Sequence, residues 1–230
     1  MRVLIIADIH ANVVALDEVL KRVGPVNIIL HAGDIVDYNP WPREAIAKVK
    51  TLGIRSTMGN HDRDSAMNTP YGYNPLAQVS CHWTHHQLTS EDRQFLLNLP
   101  KKFEFSVGGL KVFICHGSPR DLLDEYVFPD TSKETLKQLL GMTGVDILIL
   151  GHTHIPLLTQ FGDNQYILNP GGVGQPRDGD SRASCMVLNI NRGKVSIEHF
   201  RVEYDIDKVT NAIIAAKLPK ALAERLYFGY

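Results

Sequence analysis

The sequence has little that would mark a specialised environment. Its three cysteines, Cys81, Cys115 and Cys185, are odd in number and far apart. That excludes both the paired disulfide framework of a small secreted domain and a Cys-x-x-Cys metal knuckle. No apolar run approaches the ~20 residues that span a bilayer; residues 145–150 are among the longest. The N-terminal apolar run breaks at Asp8, too early for a signal-peptide core. Charge of one sign is also missing: 24 basic side chains stand against 25 acidic ones, for a net charge of −1. Without a polyelectrolyte surface, stable nucleic-acid binding is not expected. These absences together predict a cytoplasmic protein with no membrane partner; its oligomeric state is left open. At 44% hydrophobic and 21% charged, the 230 residues have an ordinary globular composition. At ~150 residues per domain they fit one large α/β domain as well as two small ones. Ten histidines are the first sign of chemistry, because several stand where a metal ion would need them.

The first half alternates strand-like and helical patterns. Residues 3–7 are apolar throughout, as in a strand covered on both faces. Asn12 can cap a helix that places Val13, Leu16, Leu20 and Val23 on one stripe and ends at Gly24-Pro25. Residues 27–31 read as a second strand, Pro42 opens a second helix carrying Ile46 and Val49, and residues 54–58 read as a third strand. This β-α-β-α-β order predicts parallel strands with right-handed crossovers. From 62 to 100 the pattern is helical and irregular, with a loop at Tyr71-Gly72-Tyr73-Asn74-Pro75. Residues 103–107 and 110–115 flank Gly108-Gly109 as a hairpin. Thr131 and Glu134 form a candidate capping box for a helix burying Leu136, Leu139 and Leu140 and closed by Gly141. Residues 145–150 predict another buried strand. Strands are then expected at 157–161, 166–169, 185–190 and 195–202, with Asn191-Arg192-Gly193 as a turn and a last helix from about Asp205. No repeat, linker or low-complexity segment interrupts the chain, so residues 1–230 are expected to form a single domain.

Five apolar runs each end in a polar cluster. In order these are Asp8-Ile9-His10, Gly33-Asp34 with Asp37, Gly59-Asn60-His61-Asp62, His116-Gly117-Ser118 and Gly151-His152-Thr153-His154. In an open α/β sheet the crevice beyond the carboxyl ends of parallel strands is where ligands bind, so the clusters should converge there. Asp8/His10 and His152/His154 share a spacing of two, which in extended chain sends both side chains to one face. The converging set is Asp8, His10, Asp34, Asn60, His116, His152 and His154. Its mixture of carboxylate, amide and imidazole suits Mn, Fe, Co, Ni or Zn better than the all-oxygen preference of Mg or Ca. That many donors exceed one ordinary site and fit two divalent ions sharing a carboxylate, the usual device for displacement at phosphorus. Taken singly, each histidine could be a hydrogen-bonded structural residue and each Gly-Asp pair a turn. A nucleotide-binding reading of the same alternation lacks its G-x-G-x-x-G or G-x-x-x-x-G-K-[ST] loop. The ordered joint occurrence favours the metal reading.

The ordered blocks D-x-H, G-D-x-x-D, G-N-H-[DE], an isolated H and G-H-x-H resemble the signature of the calcineurin-like metallophosphoesterases and span Asp8 to His154. The resemblance implies a four-layer αββα sandwich of two mixed β-sheets flanked by helices, with two metals at its rim. It implies that Asp8, His10, Asp34 and His154 hold one metal, and that Asp34 bridges to a second held by Asn60, His116 and His152. His61 would be the catalytic histidine and Asp37 its hydrogen-bonding partner. The implied reaction is in-line attack of a metal-bridging hydroxide on a phosphodiester or small phosphate ester, with a small phosphorylated or nucleotide substrate. The Ser/Thr phosphoprotein phosphatases of this family carry G-D-x-V-D-R-G and G-N-H-E. Here the corresponding stretch is Asp37-Tyr38-Asn39 and the second block ends in Asp62, so the phosphate-gripping Arg is missing. The likeness is nearer to the small bacterial and archaeal phosphoesterases, whose Asn-Pro-Gly-[SG]-Val block stands here at 169–173. Two other readings remain: hydrolysis of a dinucleoside polyphosphate, and a non-catalytic scaffold such as the retromer subunit that resembles this family. The scaffold reading predicts degenerate ligands, and here every expected ligand is intact.

Several residues carry two readings. Arg177 can clamp phosphate oxygens with its guanidinium fork, or pair at the surface with Asp178 or Asp180. Tyr38 can stack on a leaving group or pack its loop. Gly171 and Gly172 can offer N–H groups to phosphate or turn a hairpin. His31 is a candidate support for the donor set. His82, His85 and His86 share a helix face and are expected to pack or meet solvent rather than bind a metal. Cys115 should be a buried strand residue. Residues 120–130, with Leu122, Leu123, Tyr126 and Phe128, can form a lid or pocket wall, or pack on the following helix.

Overall fold

A computed structural model describes residues 1–191 and 194–230. Two mixed five-stranded sheets stack face to face with helices on both outer surfaces, the four-layer arrangement expected. The first sheet takes β1 (Arg2–Ile6), β2 (Ile28–His31) and β3 (Arg55–Ser56), with β9 (Ala183–Asn191) and β10 (Lys194–Val202), in the order β10-β9-β1-β2-β3. The second takes β4 (Lys102–Val107), β5 (Leu110–Cys115), β6 (Ile147–Ile149), β7 (Leu157–Gln160) and β8 (Tyr166–Asn169), in the order β4-β5-β6-β8-β7. β1, β2 and β3 run parallel, as do β5, β6 and β8; β9 and β10 in the first sheet and β4 and β7 in the second pair antiparallel with their neighbours.

Strand alternation explains why the sheets stack. In β1, Val3 and Ile5 face the second sheet, where they meet Val112, Ile114, Ile147 and Ile149. Leu4 and Ile6 face the opposite way, against α1 (Val13–Val23), α2 (Pro42–Thr51), α7 (Ile206–Ala215) and α8 (Lys220–Phe228). A third cluster sets Phe113, Leu148 and Ile167 of the second sheet against Leu136, Leu139 and Leu140 of α6 (Lys133–Thr143). Each such side chain contributes about 1.5–3 kcal/mol when fully buried. The strands are therefore anchored from both faces, and only their carboxyl ends are free to carry polar loops. The region from 60 to 97 supplies α3 (Asn60–Met67), α4 (Pro75–Gln87) and α5 (Ser90–Leu97).

Most local expectations match. Asn12 caps α1 by accepting from Ala15 N at 3.0 Å, Pro42 opens α2, and Asp205 caps α7. The third strand is shorter than residues 54–58: Ile54 N bonds Val49 O and Met58 N bonds Pro100 O, so only Arg55 and Ser56 pair with β2. Helix α6 is capped by Ser132, not Thr131, and runs through Gly141 to Gly144. The short helix α8, packed on α7, has no counterpart in the sequence reading. The turn expected at Asn191-Arg192-Gly193 falls on Arg192 and Gly193, which lie outside the described residues. Among the described residues no helix is long and apolar enough to cross a membrane.

Candidate active site

The chain beyond each strand end keeps hydrogen bonding to its neighbour, which draws the five polar clusters together. Asp8 N, His10 N and Ala11 N donate to Gly33 O, Asp34 O and Ile35 O, and Gly151 N donates to His116 O. The backbone that does this is strained. Asp8, His10, Ala11, Asp34, Asp37, Tyr38, His152 and His154 all adopt positive φ, among them Asp8 at 53° and His152 at 70°. The spacing-of-two argument therefore reaches the right convergence through the wrong conformation: these residues are left-handed, not extended. Side chains pay a steric penalty of order 1–3 kcal/mol in such regions, and that strain clusters where the surroundings over-determine a site. Two glycines make the approach possible. Gly33 sits at φ 89°, where a Cβ would come 2.7 Å from His116 Nδ1. A Cβ on Gly59 would run into the Asp34 carboxylate and amide. Asp62 braces the same turn, its buried carboxylate accepting from Asp34 N, Ile35 N, Val36 N and Gly59 N at 2.8–3.2 Å. The sequence block ends in Asp62 but gave no hint of this role.

Two groups of donors result, and Asp34 belongs to both. One ligand atom each from Asp8, His10, Asp34 and His154 lies within 4.8 Å of the others, and the same holds for Asp34, His116 and His152. Asn60 joins the second group: its Oδ1 stands 3.0 Å from His116 Nε2, and its Nδ2 donates to Tyr73 Oη at 2.7 Å. Carbonyl oxygens only accept, so they fix the ring tautomers. His10 Nδ1 donates to Val36 O and His154 Nδ1 to Gln175 O, which leaves Nε2 as the lone-pair atom of each neutral ring; His116 Nδ1 likewise donates to Ala32 O, and its Nε2, facing Asn60 Oδ1 and Asp34 Oδ2, carries the proton that a metal ion would replace. His152 is reversed, with Nε2 donating to Asp124 O at 3.2 Å and Nδ1 left bare.

This donor set fits divalent cations. His10 Nε2 and His154 Nε2 face each other at 3.1 Å. Burial holds both imidazoles well below the ordinary histidine range, so two lone pairs oppose one another in a way that a shared cation relieves. Asp8 Oδ2 and Asp34 Oδ2 are buried and accept no hydrogen bond among the described residues. Burial also pushes Asp8 up to about 7. At Asp34 burial acts in the same sense, but the neighbouring His116 and His61 outweigh it and hold the carboxyl well below its usual range. Burial opposes the His116 cation too, yet Asp34 beside it raises that pKa to about 9. The carboxylate thus draws positive charge to its second side as well.

His61 stands at the edge of this cluster. Its Nδ1 donates to Asp37 Oδ2 at 2.6 Å, its backbone N donates to Asp34 Oδ1, and Nε2 lies 3.2 Å from Tyr38 Oη. Asp37 is itself held by Tyr38 N, Ser80 Oγ and Thr84 Oγ1. Burial works against a charged His61, but Asp34 and Asp37 prevail and raise its pKa. Next to it opens a cavity of about 360 Å³ bordered by Tyr38, Tyr73, Tyr126, Arg177 and Arg225.

Tyr38 is buried and lends its ring to that cavity, while Arg177 donates to Tyr38 Oη and Gln175 Oε1. Asp178 and Asp180 pair with Arg201 and Arg182 instead, so the surface ion pairs considered for Arg177 do not form. Gly171 N is taken by Asn169 Oδ1 and Gly172 N by His154 O, as a turn requires. His31 is buried against Ser56 Oγ. His82, His85 and His86 share α4 and bond Asn68, Ser65 and the backbone of His82. Cys115 is buried in β5. In the 120–130 segment both readings hold. Tyr126 stacks on His152 at 3.8 Å as a wall, whereas Leu122 and Val127 pack with α6. Arg63 clamps the segment through Asp124 at 2.8 Å. Tyr73 had no sequence signal beyond its loop, and Arg225, on a helix the sequence did not announce, had none.

The model of the calcineurin-like phosphoesterase superfamily domain matches residues 1–193. The chain belongs to that superfamily. It is 35% identical to the protein MJ0912 of Methanocaldococcus jannaschii over 98% of this chain and 97% of that one. The crystal structure of a metallophosphoesterase from Sphaerobacter thermophilus superposes with a TM-score of 0.84 at 35% identity, covering 100% of this chain and 99% of the other. The protein PH1004 of Pyrococcus horikoshii shares the fold, with a TM-score of 0.88 at 23% identity over 100% and 98% of the two chains.

Proposed function

We propose that this member of the family is a phosphoesterase dependent on two divalent transition-metal ions, hydrolysing a phosphodiester or a small phosphate ester. The observation that carries this reading is the membership of Asp34 in both donor groups. Asp8, His10, Asp34 and His154 would hold one ion, and Asp34, Asn60, His116 and His152 the other. When bound, such a pair supplies Lewis acidity toward phosphoryl oxygens and a water acidic enough to attack at neutral pH. The chain's own residues set the rest. Carbonyl partners on Nδ1 aim Nε2 of His10, His116 and His154 inward, and such outer contacts fix ligand orientation. Asp37 fixes the His61 ring, and the raised His61 pKa keeps a proton available for a leaving oxygen bordering the cavity. Arg177, half-buried beside Tyr38, is the candidate grip on phosphoryl oxygens. Where the protein phosphatases place their Arg, this chain has Tyr38 followed by Asn39, whose Nδ2 braces His10 O. This disfavours a phosphoprotein substrate.

The test is metal analysis of the purified protein together with turnover of bis(p-nitrophenyl) phosphate, cyclic nucleotides, dinucleoside polyphosphates and phosphopeptides. Two ions per chain and hydrolysis of a small ester or diester are expected. Full metal loading without turnover of any substrate would move the protein to the scaffold class.

A further inference from the structure

The cavity beside His61 contains more positive charge than the hydrolysis of a simple ester needs. Two guanidinium groups border it from unrelated parts of the chain. Arg177 follows the 169–173 turn, and Arg225 comes from the last helix, beyond the residues matched by the family model. Their Cζ atoms stand 5.6 and 5.7 Å from the centroid of the Tyr38 ring. Among the described residues Arg177 pairs with no Asp or Glu side chain, since Asp178 and Asp180 are held by Arg201 and Arg182. Arg177 Nε is buried without a partner. Arg225 spends only Nε, on the main-chain oxygen of Tyr230, which leaves the fork of its two terminal nitrogens for a ligand. The two cations are not equivalent. The Arg177 charge is felt at Asp8, His10, His61 and His154 of the donor cluster as well as at Tyr38, whereas the Arg225 charge is felt at Tyr38. Burial first, and then the nearby Arg177, bring Arg225 down to about 10, and a bound anion would offset both.

We propose that Arg225 forms a second anion subsite, sharing Arg177 with the reacting phosphoryl group, so that the substrate carries a phosphoryl group in addition to the one that reacts. This rests on the phosphoesterase reading for the reacting group. A terminal phosphomonoester suits the pair best among simple anions, because its two charges match two cations and its oxygens accept from a guanidinium fork. A neighbouring phosphate of a polyphosphate chain offers the same chemistry. The rings of Tyr38, Tyr73 and Tyr126 on the same cavity give the organic part flat surfaces to lie against.

The experiment compares thymidylyl-thymidine with the same diester bearing a terminal phosphate, and adds diadenosine tetraphosphate as the polyphosphate arm. For the metal-loaded wild-type protein, kcat/KM should rise about tenfold or more with the extra phosphate, the size of one charge-assisted contact. Arg225→Met should remove that preference, mainly through KM. Whichever of the terminal phosphate and the polyphosphate is preferred identifies the source of the second group. Equal kcat/KM for the two diesters in the wild type, or a preference that survives Arg225→Met, overturns the subsite while leaving the phosphoesterase reading intact. If no substrate is cleaved, that reading fails, and calorimetric titration with inorganic tripolyphosphate decides the subsite alone. Binding weakened about tenfold or more by Arg225→Met supports it. Unchanged binding, or none to the wild type, overturns it.

Discussion

The donor cluster and the cavity beside it share His61 but are built on different principles. Every donor in the cluster but Asn60, which opens α3, sits on a loop that leaves a strand, and those loops hydrogen-bond to one another past the end of the sheet. Their residues are buried, many in left-handed backbone, and each ring has an outer partner that fixes its tautomer. The cavity is lined by a helix terminus, the loops of Tyr38, Tyr73 and Arg177, the 120–130 segment and the far helix α8, with Tyr73 and Arg225 each held by a single side-chain hydrogen bond. Strain and redundant bracing fix geometry to fractions of an ångström, as reaction at a fixed atom demands. Loosely braced walls tolerate exchange of side chains, and sites of that kind set which substrate is accepted. Substitutions should therefore divide sharply between the two regions.

The largest effect is expected in the cluster. Asp34→Asn removes the carboxylate common to both donor groups and should empty at least one metal position. Turnover should fall by ~10³-fold or more, because several kcal/mol of charge stabilisation depend on the ions. Metal analysis beside the kinetics checks this, and full occupancy in the variant would argue against a shared carboxylate. His61→Asn comes next, with an expected loss of ~10²-fold at unchanged metal content. It also tests a pH dependence. Asp34 and Asp37 raise the His61 pKa, and Asp37 goes on favouring the proton where bound cations take up the Asp34 charge, so the proton is lost as pH climbs past the value Asp37 sustains. Wild-type kcat should accordingly decline on the alkaline side, and that limb should vanish in His61→Asn.

The same division decides what could be read from the chain alone. In the cluster, local sequence and local geometry coincide. An apolar run ending in donors recurs five times, three of them through a glycine (Gly33, Gly59 and Gly151), and each recurrence specifies a strand end and a ligand together. The two stacked sheets follow from the same runs, because residues such as Val3 to Ile6 are apolar on both faces. What escaped were features set by distant partners. The positive φ at Asp8 and His152 is imposed by neighbouring loops, not by residue type. Met58 was drawn out of the third strand by Pro100 O, and Ser132 displaced Thr131 as a cap by offering its own side chain to Thr135 N. Arg225 is one arginine on an amphipathic helix, and only the packing of α8 beside Tyr38 gives it a role.

On the cavity side the effects should be smaller and should appear in KM. Arg177→Met is expected to raise KM about tenfold, the value of one charge-assisted contact, with metal content retained. A fall in kcat of the size expected for His61→Asn would instead place Arg177 with the cluster and erase the distinction between the regions.

The smallest effect should come from Tyr73→Phe, which lies on the boundary. Tyr73 Oη accepts from Asn60 Nδ2 at 2.7 Å, and its ring lies 4.5 Å from that of His61, so it belongs to the cavity wall yet orients a donor of the cluster. Removing one neutral hydrogen bond is worth about 1 kcal/mol, or roughly fivefold. If Tyr73 acts through Asn60, the loss should appear as roughly fivefold weaker metal affinity at one position, with KM for substrate nearly unchanged at saturating metal. If it acts only as a wall, metal affinity will stay at the wild-type value and the change will appear in KM. Metal titration of the full-length variant beside the wild type separates the two outcomes, and the first would show that bracing extends from the strand-end loops into the cavity's own lining.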